Sequence, residues 1–318
     1  MKYNAMVNIA IRVYNELCNS VIGDSKINKA EKRAQYASLF HIKGKEIALS
    51  QKEWERNPDC IKVLIGDLNL SGLIDCDLNF PEIVCGDVNL RGLKGIVGKS
   101  GLPKLPEIVA GDLEFGEFFG KLRSECEDLI LPAFVGGSLD MRLFKSAKNL
   151  VMPTIVGEDV ELGLLENAKN LLFPKYVGGS LRLFSLHELK DINNIKFPHR
   201  VGGNLFLDGL TMVKDVSLPD EIGGSVFLEK LKFADGLIFP YYVKGDIHLN
   251  NLMSAKKVKF PVIVDKSIVL IGLETIEGLE PPKIIGGGLI LPASFSSSIK
   301  LCQPFKVKVR QRKINKKH

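Results

Sequence analysis

Proline returns through this chain at a fixed interval. Pro132, Pro153 and Pro174 lie 21 residues apart, and so do Pro198, Pro219, Pro240, Pro261 and Pro282. The interval stretches to 24 residues between Pro174 and Pro198, to 25 between Pro81 and Pro106, and to 26 between Pro106 and Pro132. A further unit without the proline opens near Ile61 (IKVLIGDLNL), and the last is cut short near Pro292. A unit this short has apolar residues but cannot enclose a core, so neighbouring units must stack to bury them. The expected fold is a mainly β repeat solenoid of about eleven coils.

One unit shows the local chemistry. Counting Pro219 as zero, apolar residues fall at Ile222, Val226, Leu228, Leu231, Ala234, Leu237 and Phe239. Val226 and Leu228 form an L-x-L strand of period two, and Leu237 and Phe239 a second short strand before the next proline. Leu231 and Ala234 mark a turn through the interior. Each proline removes a backbone donor, which is harmless at a corner and damaging inside a strand. The Gly-Gly pairs that follow (136–137, 178–179, 202–203, 223–224, 286–287) suit either positive φ or close coil-to-coil approach.

The x-x-L-x-L-x-x-L core at this period resembles leucine-rich-repeat proteins, specifically the short repeats of secreted effectors of animal-associated bacteria, over roughly residues 61–295. The resemblance implies a non-enzymatic recognition module that binds a host or partner protein. Two features depart from it. The family's asparagine ladder is replaced by Leu93, Phe118, Phe144, Leu165, Leu210, Leu231, Leu252 and Leu273, and the doubled Leu-Pro by Pro-x-x-(Val/Ile)-Gly-Gly.

The flanks differ from the repeats. Residues 1–60 read as a helical cap: Ile9, Val13, Leu17 and Val21 form one stripe, and Ser50-x-x-Glu53 is a capping box before Trp54. A cap is what the open end of a solenoid needs. The solenoid itself spans 61–303. The basic tail, 304–318, holds seven Lys/Arg and no acid, and alternates at Phe305, Val307 and Val309 as an edge strand would. Net charge is +6, yet residues 61–303 hold 26 basic against 30 acidic side chains, so the positive charge sits at the ends. Contact of the tail with nucleic acid or an anionic membrane is the subordinate expectation, because no aromatics interleave with its charges.

Other chemistry finds little support. The six cysteines form no CxxC pair, and no histidine stands at ligand spacing from two of them, so reduced thiols and no metal or cofactor are expected. No run of eighteen apolar residues and no signal-peptide pattern is present, which places the chain in the cytoplasm of the producing cell, with release by a dedicated system left open. The Asp-x-Glu pairs Asp112/Glu114 and Asp159/Glu161 invite a polysaccharide-active β-helix as the alternative, but they point one way from one strand and lack a companion Lys/Arg cluster. A purely structural solenoid is the third reading.

The candidate site is the outward row of the L-x-L strands. It begins acidic, with Asp87, Asp112, Glu114, Asp140, Asp159 and Glu161. It turns to Arg182, Phe206, Phe227 and His248, with Phe184, Val269 and Ile271 beside them. An acidic half would face a basic partner and the apolar stripe would anchor it. Against that stands a plainer role for the aromatics as cross-strand neighbours that only stabilise the sheet.

Overall fold

The computed structural model describes residues 47–48, 51–56, 61–64, 66–71, 79–91, 104–116, 129–145, 147–148, 150–165, 171–183, 196–295 and 307–310. They form a mainly β, parallel β-solenoid with almost no helix. The helices expected within residues 1–46 and the end of the basic tail, 311–318, lie outside the described residues. Contacts divide the chain into two compact units: residues 1–161 with 169–176, and residues 162–168 with 177–318.

In the first unit each coil places two short strands. A first ladder stacks Ile47–Ala48, Val63–Leu64, Ile83–Val84, Ile108–Val109, Phe134–Val135 and Ile155–Val156, all parallel. A second stacks Leu68–Asn69, Val88–Leu90, Leu113–Phe115, Leu139–Asp140 and Val160–Glu161. The second is the expected L-x-L strand. The first arises directly after the proline corner, where the sequence pattern has one recurring apolar residue, at offset three, and predicts no strand.

Backbone bonds join each coil to the next in both ladders. In the first, Cys85 N–H donates to the Leu64 carbonyl at 2.8 Å and Gly136 N–H to Val109 at 2.8 Å. In the second, Leu68 N–H donates to Asp87 at 2.8 Å and Leu113 N–H to Ser138 at 2.8 Å. Backbone groups of both strands are thereby paired without leaving the stack, as buried backbone requires.

The second unit repeats the plan. Its first ladder is Arg200–Val201, Glu221–Ile222, Tyr242–Val243, Ile263–Val264 and Ile284–Ile285. Its second joins Leu181–Arg182, Leu205–Phe206, Val226–Phe227, Ile247–His248, Ser267–Val269 and Gly288–Pro292. The tail strand, Val307–Arg310, pairs in register with Leu289–Pro292, which is the edge strand its alternation predicted. Two-stranded ladders, Met212–Lys214 with Phe233–Asp235 and Leu237–Ile238 with Val258–Lys259, close the remaining side. The latter is the expected strand before the next proline.

The interior is filled by position. Val226, Leu228 and Leu231 are fully buried, as are their equivalents Ile247, Leu249 and Leu252. The residues standing where an asparagine ladder would be, Phe144, Leu165, Leu210, Leu231, Leu252 and Leu273, are all buried, so that position serves the apolar core. Each unit's proline, from Pro81 to Pro282, is buried as well. The glycine pairs answer the choice left open by the sequence. None of the described pair positions has positive φ; instead a methyl group at Gly136 or Gly223 would overlap the carbonyl oxygen of the coil before it. Close coil-to-coil approach is therefore what glycine supplies there.

Candidate binding surface

The residues expected to form one outward face divide into two rows with different duties. The row just before each second-ladder strand carries Asp, Ser or Asn, and its side chains reach along the stack rather than outward. Asp67 Oδ1 accepts the Asp87 N–H (2.8 Å), Asp87 Oδ1 the Asp112 N–H (2.9 Å), and Asp112 Oδ1 the Ser138 N–H (2.8 Å). The second unit continues the scheme: Ser180 Oγ accepts from Asn204 at 3.1 Å, Asn204 Oδ1 from Ser225 at 2.7 Å, Ser225 Oγ from Asp246 at 2.9 Å, and Asp246 Oδ1 from Ser267 at 2.9 Å. Short acceptors suit this work because they reach the next coil's amide with little rotamer freedom to lose.

This polar ladder also explains the second glycine of each pair. A methyl group at Gly111, Gly137 or Gly224 would overlap the ladder oxygen of Asp87, Asp112 or Asn204 in the preceding coil. The Gly-Asp, Gly-Ser and Gly-Asn dipeptides (Gly86-Asp87, Gly137-Ser138, Gly203-Asn204) were the sequence signal for it. The position at which leucine-rich repeats carry an asparagine ladder is apolar here, and a mixed Asp/Ser/Asn ladder stands at another. Of the candidate site residues, Asp87 and Asp112 belong to it as acceptors. Asp159 donates its N–H to Ser138 Oγ at 3.4 Å, a looser rung where Glu158 replaces the glycine.

The row within each strand does face outward. In the first unit Asn89, Glu114, Asp140 and Glu161 stand in register. Their acids are not bare, and here the expectation of no companion Lys/Arg cluster is corrected. Arg142 grips Asp140 through Nε (3.0 Å) and Nη2 (2.8 Å) and reaches Glu161 at 3.1 Å. Arg91 reaches Glu114 one coil on (3.4 Å) and Asp140 two coils on (3.1 Å). Both arginines sit two residues beyond an outward residue of their own strand, Asn89 or Asp140, and period-two geometry puts them on the same side. Half-burial by itself would raise the Asp140 carboxyl, but the hydrogen bonds and charge of Arg142, helped by Arg91, hold it below the usual aspartate range. The two arginines, Asp140, Gly116 and the apolar floor of Phe115 and Leu143 surround a cleft of about 330 Å³.

In the second unit the outward row is Arg182, Phe206, Phe227, His248 and Val269, again in register. The rings of Phe206 and Phe227 stack at 4.6 Å and 4°, and those of Phe227 and His248 at 4.7 Å and 6°. The Arg182 guanidinium lies 5.3 Å from the centre of the Phe206 ring. The spacing is that of neighbouring strands, about 4.8 Å, so the ladder itself imposes the stack. Ring faces are spent on one another, and ring edges are what the half-exposed column presents outward. Phe184 lies outside the described residues, and Ile271 sits past the strand at a turn.

Among the described residues no group of three His, Cys, Asp or Glu could hold a metal ion. No described helix is long and apolar enough to cross a membrane. Cys85 is buried and free, and burial pushes its thiol up to about 11. Comparison with protein-family models, curated proteins and solved structures gives no match.

Proposed function

We propose that the chain is a non-enzymatic recognition module, of the leucine-rich-repeat-like kind found in secreted bacterial effectors, that binds a protein partner through the outward row of its second ladder. The observation that carries this is the column Arg182, Phe206, Phe227 and His248, a cation and three rings aligned at strand spacing on a half-exposed face. Interfaces draw their affinity from aromatic and arginine anchors set in a rigid surround. Because the ring faces are taken up internally, the partner meets ring edges. That favours apolar side chains of a protein over sugar rings, which lie flat on an open aromatic face. The proposal carries with it an array of about eleven coils and a helical N-terminal cap.

Site-specific photocrosslinking tests the reading. A photoreactive amino acid is placed at Arg182 or His248, and for comparison at Tyr242 on the first ladder. Proteins crosslinked in a eukaryotic lysate are then identified and remade pure. The expected result is one protein captured from both second-ladder positions, not from Tyr242, and again in purified mixture. Capture only from Tyr242 would overturn the assignment of the face.

A further inference from the structure

The first ladder changes character along the second unit. Its earlier coils carry charge outward, in the ion pairs Arg200–Glu221 (3.5 Å) and His199–Asp220 (2.9 Å). In the next three coils the same two rows become largely apolar. Tyr242, Ile263 and Ile284 stand in register in one row, and Tyr241, Val262 and Lys283 are joined by backbone bonds in the other. Tyr241 is 68% exposed, Ile284 56% and Tyr242 39%. Contiguous exposed apolar surface of this kind marks a contact site. Cations border it: Lys244, Lys266 and Lys283 are exposed, and none forms an ion pair among the described residues. The one acid within 241–245, 262–266 and 283–287 is Asp265, which accepts the Tyr242 hydroxyl. The last of these coils also carries Leu289–Pro292, where the strand Val307–Arg310 pairs, and the sequence that follows holds Arg312, Lys313, Lys316 and Lys317.

We propose that this face docks on an anionic lipid bilayer. Its aliphatic side chains and tyrosine rings gain by burial at the boundary between headgroups and acyl chains, and the bordering lysines meet anionic headgroups. Tyrosine suits that boundary because its ring is apolar and its hydroxyl is wet. A nucleic acid would leave Val262, Ile263 and Ile284 without an apolar counterpart, since it rewards cations and ring faces. A bilayer covers the whole of a face three strands wide, whereas an extended peptide spans one row of it. The basic tail has charge but no interleaved aromatics; the tyrosines and isoleucines of these coils add the second, apolar signal that stable attachment takes. This face belongs to the first ladder, so the inference does not rest on the recognition reading above.

The test is flotation of the full-length protein with vesicles of phosphatidylcholine alone and of phosphatidylcholine with phosphatidylserine in a three-to-one ratio. Flotation with the anionic vesicles only, weakening as salt rises, is expected. Tyr241→Ser combined with Ile284→Ser is expected to weaken it about tenfold or more. Lys244→Gln and Lys283→Gln are each expected to weaken it about fivefold. All four positions are exposed, and melting curves that match the wild type separate lost binding from lost fold. A single-stranded oligonucleotide and a capped Glu-Leu-Glu-Leu-Glu peptide are titrated alongside. Absence of flotation, flotation kept in full by the Tyr241→Ser, Ile284→Ser variant, or binding of the oligonucleotide or peptide in place of vesicles would overturn the proposal. A lipid contact captures no protein from a crosslinker at Tyr242, so this inference and the second-ladder assignment fail separately.

Discussion

The side-chain amide of Gln51 pairs with the backbone of Asn69 as a neighbouring strand would. Gln51 Oε1 accepts the Asn69 N–H at 2.8 Å, and Gln51 Nε2 donates to the Asn69 carbonyl at 2.9 Å. Asn69 belongs to the first strand of the second ladder, so one glutamine closes an edge that would otherwise offer its backbone to another chain. The first ladder is covered at the same end by Ile47–Ala48, which pairs with Val63–Leu64. Gln51 opens the six-residue helix Gln51–Arg56, one residue after the Ser50 of the predicted capping box.

Gln51→Ala is expected to lower stability by about 1 kcal/mol, because water can replace part of two exposed hydrogen bonds. The sharper readout is hydrogen exchange: the Asn69 amide is expected to exchange faster while Leu113 is unchanged. Sedimentation at rising concentration should show self-association that the wild type lacks.

The polar ladder gives a paired expectation. Asn204→Ala removes the acceptor of the Ser225 amide and is expected to cost about 1–3 kcal/mol, the penalty of a partly buried donor left unmade. Asn204→Asp keeps an acceptor and should cost distinctly less. Gly224→Ala forces a methyl group onto the Asn204 oxygen, with about 1–3 kcal/mol of overpacking strain expected. Urea midpoints of the three variants, in the order Asp, then Ala and Gly224→Ala, check it.

How much of this was legible beforehand depended on what the side chains had to do. The interior positions repeat Leu, Val and Ile because a closed core admits nothing else, so Val226, Leu228 and Leu231 could be placed from spacing alone. First-ladder strands are hard to see because their first residue changes character along the stack: Ile108 and Phe134 are buried, whereas Arg200, Glu221 and Tyr242 at equivalent places are half-buried or exposed. With two residues per strand there is no alternation to detect. The division of the outward face was missed for another reason. Asp112 and Glu114 look alike as acids two residues apart, and only the glycine before Asp112 signals that its side chain turns along the stack. Arg91 escaped because it pairs across coils whose spacing is stretched by insertions, and Arg142 because it lies just past its own strand, outside the two-residue pattern that was followed.

Acid should expose the Asp140 network. The native carboxyl titrates below the ordinary aspartate value of 3.8, so its ion pairs contribute fully above that value and are lost as pH falls through the lower native one. Stability is expected to decline with acid in that interval, and Asp140→Asn to flatten the decline there while being less stable at neutral pH. Chemical denaturation from pH 7 down to pH 2.5 measures both.

Cys85 should be inert while the protein is folded. Burial holds its thiol near 11, so little thiolate exists at pH 8 and reagent cannot reach it. Peptide mass mapping after alkylation is expected to find Cys85 unmodified in native protein and fully modified in 6 M guanidinium ~ the usual denaturing range.

The recognition face is tested most directly by affinity for the crosslinked partner after Phe206→Tyr and Phe227→Tyr are combined. Tyrosine keeps the stack, so the melting temperature should hold, while hydroxyl groups now cover the apolar ring edges. A loss of tenfold or more, roughly the scale of a hot spot (about 1.4 kcal/mol or above), is the expected result. Unchanged affinity in a variant that melts like the wild type would contradict the account.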